Sequence, residues 1–279
     1  MPKHSTGPVS ASGTRDERPR LSDALATPAR KARYVARLFD TIADRYDLIT
    51  RLLSYGRDQH WKRRLIATAA IGPGERVLDL ACGTGDLAFA AAAHGGSVIG
   101  LDLTLRMLQL AHVRARDAPA TTTATAAATA TATATATTRS PGPGTAAFTV
   151  GDMMSLPIAD ESIDVITIGY GLRNVPVLDG AIRETYRVLK PGGRLLSLDF
   201  NRPSSAPLRA AYLTYLTIVG STVGWALHGD PDTYRYIPES IKRYPGAEAV
   251  VQRMREIGFR EARWEPVLGG LMAIHVAKK

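Results

Sequence analysis

The chain of 279 residues has a single cysteine, Cys82. That excludes a disulfide scaffold and a cysteine-rich zinc module, and it makes a reducing, cytoplasmic setting the default expectation. No apolar run follows the first charges, so no secretory signal is predicted. No His, Cys and carboxylate cluster at metal-ligand spacing stands out, and no metal is expected. Aromatic residues are few, at 6%, while 45% hydrophobic and 22% charged content fits neither a disordered polymer nor a membrane bundle. Acidic residues are the scarcer charge, 26 against 35 basic, for a net charge of +9. Residues 1–37 hold eight basic and three acidic side chains, so the excess is mostly that of a tail and not of a groove. No nucleic-acid partner is expected. Peripheral contact with an anionic membrane face is compatible with such a tail.

Residues 1–30 have the composition of a disordered basic tail, and residues 31–279 read as one domain. Val35, Leu38, Phe39 and Ile42 recur at helical spacing, and residues 57–70 form a second helical pattern with Trp61, Leu65 and Ile66 on one side. Residues 76–80, 97–101, 147–150, 163–168 and 194–198 are short apolar runs that read as buried strands. Helical patterns at 87–93, 104–116 and 178–189 separate them, and Lys190-Pro-Gly-Gly193 reads as a turn. This alternation predicts an α/β fold with a doubly wound, mostly parallel, Rossmann-like sheet. Residues 120–138 contain only Ala and Thr. The insertion at about 118–146 is expected to be a tolerated surface loop with no catalytic role. Residues 203–245 read as a helical cap over the ligand edge of the sheet. Within it, residues 210–227 carry no charge and approach the length of a bilayer span, but their Thr, Ser, Gly and Tyr content favours the cap. The same surface is compatible with lipid or a greasy substrate.

The chemistry concentrates in Val77-Leu-Asp-Leu-Ala-Cys-Gly-Thr-Gly-Asp86, between the first strand and its helix. Gly83, Gly85 and Ala88 fit G-x-G-x-x-G/A, and Asp102 ends the second strand 19 residues beyond Gly83. Two ligand classes use this arrangement, dinucleotides and S-adenosylmethionine, both with the acid on ribose hydroxyls. Charge discriminates between them. Asp79 and Asp86 flanking the loop would repel a pyrophosphate and attract an ammonium and a sulfonium. Thr84 offers a hydroxyl and an amide to the methionyl end. Asp152 ends the third strand, where its carboxylate can accept from an adenine amino group, and Met153 can donate its amide or flank the base. Arg187-Val-Leu-Lys-Pro-Gly-Gly-Arg-Leu195 repeats a helix, turn and strand sequence common in class I methyltransferases.

Three blocks then carry a closer resemblance: Arg45-Tyr-Asp-Leu-Ile with Leu53-Ser-Tyr-Gly-Arg-Asp-Gln-His-Trp-Lys62; Gly169-Tyr-Gly-Leu-Arg-Asn-Val175; and Tyr234-Arg-Tyr-Ile-Pro-Glu-Ser-Ile-Lys-Arg-Tyr-Pro245 with Ile257-Gly-Phe259 and Ala273-Ile-His275. With them the chain resembles the ubiquinone/menaquinone biosynthesis C-methyltransferases from about residue 39 to 279, the insertion apart. The resemblance implies a class I S-adenosylmethionine-dependent methyltransferase fold. It implies methylation of a ring carbon on a polyprenylated quinol, demethylmenaquinol at the last step of menaquinone synthesis or the benzoquinol of the ubiquinone branch. Composition typical of a high-GC genome favours the former. By the family pattern, Thr84, Asp102, Asp152 and Met153 contact the cofactor. Gly169 lacks the hydroxyl some relatives carry there, and Leu48 replaces the Asn usual after the Tyr-Asp pair.

A quinol carbon is a weak nucleophile, and deprotonating the neighbouring hydroxyl activates it. Arg173, following the fourth strand, is the first candidate to stabilise the phenolate or order a water that takes the proton. Tyr46, Asp47, His60 and His275 are alternative groups, and the base is unassigned. A methyltransferase for another lipid-like acceptor, a nicotinamide-dependent oxidoreductase and a catalytically silent binding protein are the rival readings. Homo-oligomerisation is left open.

Overall fold

The structure, a computed structural model, describes residues 21–54, 56–117, 123–125, 144–231 and 233–279. All five strands expected from periodicity are present: β1 (Arg76–Leu80), β2 (Ser97–Asp102), then, beyond the three-residue β3 (Thr123–Thr125), β4 (Thr145–Val150), β5 (Ile163–Gly169) and β6 (Leu189–Phe200). Two more follow, β7 (Glu261–Val267) and β8 (Met272–Lys278). They form one sheet in the order β3-β4-β2-β1-β5-β6-β8-β7. Pairing is parallel from β3 through β6, and β8 and β7 close the edge antiparallel. The chain winds outward from β1 through β2 to β4, then returns to β5 on the other side of β1. The crevice at the carboxyl ends of β1 and β5 is therefore the topological switch point, where such sheets bind ligands.

Strand residues alternate between two cores. Val77, Val165, Leu196 and Ile274 face α4 (Asp58–Ala69) and α5 (Asp86–Ala93), whose Leu65, Ile66, Ala88 and Ala91 are buried against them. Leu78, Leu80, Ile166 and Leu195 face α7 (Leu178–Val188) and α10 (Ala247–Ile257) through Ile182, Val250 and Met254. Strands buried on both faces read as continuous apolar runs, which is why β1 and β5 were legible from sequence.

Three features depart from expectation. Lys190-Pro-Gly-Gly193 does not end in a turn before the strand: β6 already pairs with β5 at Leu189, and the register shifts between Ile163 and Val165. Pro191 has no amide to donate and Gly192 adopts φ +80, so the chain bulges without leaving the sheet. The strands β7 and β8 are additional to those the periodicity predicts; in β7, the edge strand, Glu261, Arg263 and Glu265 dilute the apolar signal. Part of the expected tail is helical: α1 (Leu21–Ala24) precedes the predicted start at residue 31 and α2 (Pro28–Ile42) begins three residues before it, with Thr27 capping α2 by accepting from the Arg30 amide at 3.4 Å. Leu25 is buried. Residues 1–20 of that tail, and positions 118–122 and 126–143 of the insertion, lie outside the described residues.

His275 sits in the middle of β8, opposite Ser197 and fully buried. Neither ring nitrogen has a hydrogen-bond partner of acceptable geometry among the described residues. Burial pushes its pKa down to about 4, against the pull of the Asp199 carboxylate. The fold thus holds the neutral ring. Because the folded pKa is depressed, this stability is present above about pH 6.5 and is lost as pH falls towards about 4. The expected loss is about 3 kcal/mol. Urea unfolding across that window should show a stability slope that His275→Gln flattens; an unchanged slope would remove His275 as its source.

Candidate active site

Three cavities meet at the switch point. The largest, about 780 Å³, is bordered by Gly83, Asp102, Asp152, Met153 and Gly171, and by Val35 and Phe39 of α2. A polar one of about 330 Å³ is lined by Lys62, Asp79, Thr84, Asp86 and Gly169. An apolar one of about 560 Å³ is lined by Leu38, Ile42, Ile49, Leu53, Ile237 and, as its charged member, Arg173. Tyr46 and Tyr170 border all three.

The loop after β1 shapes the first two. Gly83 and Gly85 adopt φ +55 and +88, and a Cβ at Gly85 would lie 2.8 Å from Phe89 and 3.0 Å from Phe148. Only glycine lets the backbone turn there against two aromatic rings. The turn aims the Gly83 amide at Asp102 Oδ2, 2.8 Å away, while the Thr104 amide donates to Oδ1 at 2.8 Å. Each carboxylate oxygen retains a lone pair. Asp152 Oδ1 likewise accepts from the Met154 amide at 2.9 Å. Over this cavity α2 is fastened by Lys31, whose Nζ donates to the Arg173 and Val175 carbonyls at 2.9 and 2.6 Å.

Asp102, Asp152 and Met153, predicted from sequence, thus come together in one cavity, with Thr84 in the adjoining one. The Thr84 hydroxyl donates to Asp47 Oδ1 at 2.9 Å and accepts from Arg114 at 3.2 Å. Asp47 is thereby the partner of Thr84. His60 is exposed and His275 lies within the sheet, and neither borders the three cavities.

The electrostatics correct one expectation. Asp86 does not present an open negative wall: Lys62 and Arg114 each pair with it at 2.7 Å. Burial alone would raise its pKa, yet these cations bring it down to about 2. Lys62 also pairs with Asp58 at 2.7 Å, and Asp58 accepts from the Tyr170 hydroxyl at 2.7 Å. Tyr170 is buried at φ +61, a conformation strained for a tyrosine. Sequence reasoning assigned no role to Lys62, Asp58, Tyr170 or Arg114. Tyr170 lies in a family block, but nothing local marks its bond to Asp58.

Arg173 follows β5 in a short 3₁₀ turn, Leu172–Asn174. It is buried, pairs with Asp199 at 2.7 Å, donates to the Tyr170 carbonyl and to Ser240, and stacks 4.7 Å from the Phe200 ring centre. Burial would lower its pKa, but Asp199 keeps it protonated.

The open electrostatic position belongs to Asp79. It is buried, Oδ1 accepts from Thr167 at 2.7 Å, and Oδ2 has no partner among the described residues. Burial pushes its pKa up to about 7. An orphaned carboxylate oxygen in a polar cavity fits an ammonium donor, and S-adenosylmethionine carries one beside the sulfonium methyl it supplies. Asp79 and Thr84 would hold that end, and Asp102, Asp152 and Met153 the adenosine. A cation beside Asp79 favours its ionised form, so binding should release up to one proton near neutrality. Affinity should weaken as pH falls below about 7, by up to about tenfold per unit. Calorimetry in buffers of different ionisation enthalpy measures this release, and Asp79→Asn should abolish it.

The model of the ubiE/COQ5 methyltransferase family matches residues 27–279. Curated relatives include the demethylmenaquinone methyltransferases of Parafrankia sp., 42% identical over 248 residues (89% of this chain, 94% of the relative), and of Streptomyces avermitilis, 34% identical over 241 residues (86% and 92%). Among solved structures, S-adenosylmethionine-dependent methyltransferases of Thermotoga maritima and Methanococcus maripaludis superpose with TM-scores of 0.55 and 0.54. They are 18% and 20% identical, and cover 87% and 86% of this chain and 99% and 93% of theirs, which shows the shared fold. The glycine loop, Asp102 at the end of β2 and Asp79, whose Oδ2 has no partner among the described residues, therefore sit in a chain that belongs to the ubiE/COQ5 methyltransferase family, the S-adenosylmethionine-dependent enzymes of this class I fold.

Proposed function

We propose that the protein methylates a ring carbon of a polyprenylated quinol, demethylmenaquinol, as the last step of menaquinone synthesis. We further propose that it acts at the cytoplasmic face of the membrane that holds this lipid. The observation that carries the reading is the apolar cavity of about 560 Å³ joined to the cofactor cavities at Tyr46 and Tyr170, with one cation, Arg173, in its wall. An aromatic head group fits beside Tyr46 and Phe200, and aliphatic walls from Leu38, Ile42, Ile49 and Leu53 suit the first isoprenoid units. The relatives named above carry the same activity in their names.

The chemistry asks the chain for alignment and charge. Tyr46 and Tyr170 keep the acceptor ring against the sulfonium side and exclude water. Arg173 stabilises the developing phenolate with a guanidinium that cannot deprotonate near neutrality. Its Asp199 partner fixes the guanidinium before substrate arrives, so little reorganisation is needed.

Residues 210–227 border none of the three cavities; the cap's contribution comes from Thr233, Tyr234, Tyr236 and Ile237. The long apolar helix is therefore not the tail channel. Quinone profiling of a deletion strain tests the reading: demethylmenaquinone should accumulate and the intact gene should remove it. An unchanged quinone pool would reject it.

A further inference from the structure

We propose that the outward face of α8 (Ala206–His228) is a docking surface for an anionic lipid bilayer, on which the enzyme lies without spanning it. The inference rests on the proposed polyprenylated substrate. Among the described residues α8 is the one helix long and apolar enough to cross a membrane, yet only 22% of its most apolar window is buried. No charged side chain lies between Arg209 and His228.

The inner face is committed to the domain. Tyr212, Leu216, Gly220 and Gly224 recur every four residues and are buried. A Cβ at Gly220 would lie 3.2 Å from the Tyr234 carbonyl, and one at Gly224 2.6 Å from the Asp230 carbonyl. Such close backbone contact clamps the helix along its length, so a transmembrane placement would have to break it.

The outer face is uncovered. Leu208, Ile218 and Trp225 are 43%, 62% and 69% exposed. Along the helix they span about 26 Å at 1.5 Å per residue. The Thr222 hydroxyl between them donates to the Ile218 carbonyl, which removes a free donor from this face. This charge-free face, on which Ala211, Thr214 and Thr222 are exposed between the large apolar side chains, marks an interaction surface.

What surrounds the stripe selects the partner. Val219, Val223 and Leu227 of α8 pack on the cluster that contains Ile49 and Leu53 of α3 (Tyr46–Leu53), two walls of the apolar cavity. On the outside of α3, Leu48 and Leu52 are 47% and 50% exposed. Arg45 is close enough to bear on the pKa of both His228 and Tyr234, which places the start of α3 beside the end of α8. No Asp or Glu occurs from Leu48 to Arg57 or from Phe200 to Gly229, whereas Arg51, Arg57 and Arg202 are exposed. The apolar centre, with Arg51, Arg57 and Arg202 exposed and the half-buried Asp230 just beyond the end of α8, carries a net positive border that complements an anionic interface, with the apolar side chains at the acyl boundary. A second copy would set like charges against each other across a two-fold contact. A quinol entering the cavity between α3 and the cap would then come from the bilayer itself.

The test uses the full chain, its natural Trp225, and vesicles of phosphatidylcholine alone or mixed with phosphatidylglycerol. Trp61 is buried and Trp264 is tied to Glu248, so Trp225 should dominate any response. A blue shift with the mixed vesicles, weakened by salt and absent in Trp225→Phe, is expected. Ile218→Asp should lower vesicle partitioning at least about tenfold. It should leave thermal melting and turnover of a short-chain, water-soluble quinol unchanged, while turnover of a long-chain quinol embedded in vesicles falls. No vesicle binding, or binding indifferent to Ile218→Asp, would overturn the docking surface. So would a dimer in solution that Ile218→Asp dissociates. Vesicle binding that depends on Ile218 with neither quinol methylated would uphold the surface and reject the substrate.

Discussion

Asp102→Ala is expected to abolish measurable S-adenosylmethionine binding. Two losses combine. The carboxylate would accept from the ribose hydroxyls, and charged hydrogen bonds contribute about 1.5–3 kcal/mol each. Two of them amount to roughly three orders of magnitude in Kd. The same carboxylate also holds the amides of Gly83 and Thr104, each at 2.8 Å. Without it, two buried donors lose their acceptor and the loop after β1 loses its aim. Asp102→Asn separates the effects, because its single oxygen can hold only one amide while its NH₂ opposes the other. It should bind with intermediate affinity. Calorimetric titration of the purified variants measures both; a Kd for Asp102→Ala within a few fold of wild type would take Asp102 out of the cofactor site.

Arg173→Ala is expected to lower turnover at least about a hundredfold, the usual cost of removing a charge-stabilising donor from a transition state. Cofactor affinity should change little, because the residues assigned to the cofactor, Asp79, Thr84, Asp102, Asp152 and Met153, line the other two cavities. The ion pair complicates the experiment. Asp199 is fully buried, and stripping its cation leaves an uncompensated charge at a cost of about 3–5 kcal/mol, a large share of a domain's stability. Arg173→Ala should therefore also melt well below wild type. Arg173→Lys resolves the ambiguity: it retains a positive charge for Asp199 but lacks the planar fork that reaches Tyr170 and Ser240 as well. Stability should largely return while turnover stays low. Joint recovery of stability and turnover would reduce Arg173 to a structural ion pair.

The polar network around Asp86 shows where reading along the chain misjudges chemistry. Asp86 follows the glycine loop and looks like an acid free to attract a cationic ligand. Its charge is balanced by Lys62, 24 residues earlier, and by Arg114 on α6 (Leu105–Asp117). The electrostatic attraction assigned to two carboxylates rests on Asp79 alone, which burial holds near its neutral form until a cation arrives. Tyr170 and Asp58 make the same point, since their hydrogen bond joins residues 112 apart.

The residue order alone determined the alternation of strands and helices, the glycine turn after β1 and the acids Asp102 and Asp152 at strand ends. These are local properties: side-chain periodicity, backbone freedom and the offset between a loop and the next strand end are set by near neighbours. Only the folded chain decided which charges are spent on one another, that Tyr46 and Tyr170 stand where three cavities join, and that α8 turns one clamped face inward and one bare face outward. Those outcomes depend on distances between residues remote in sequence, and the electrostatic and packing energies that fix them depend on distance in space.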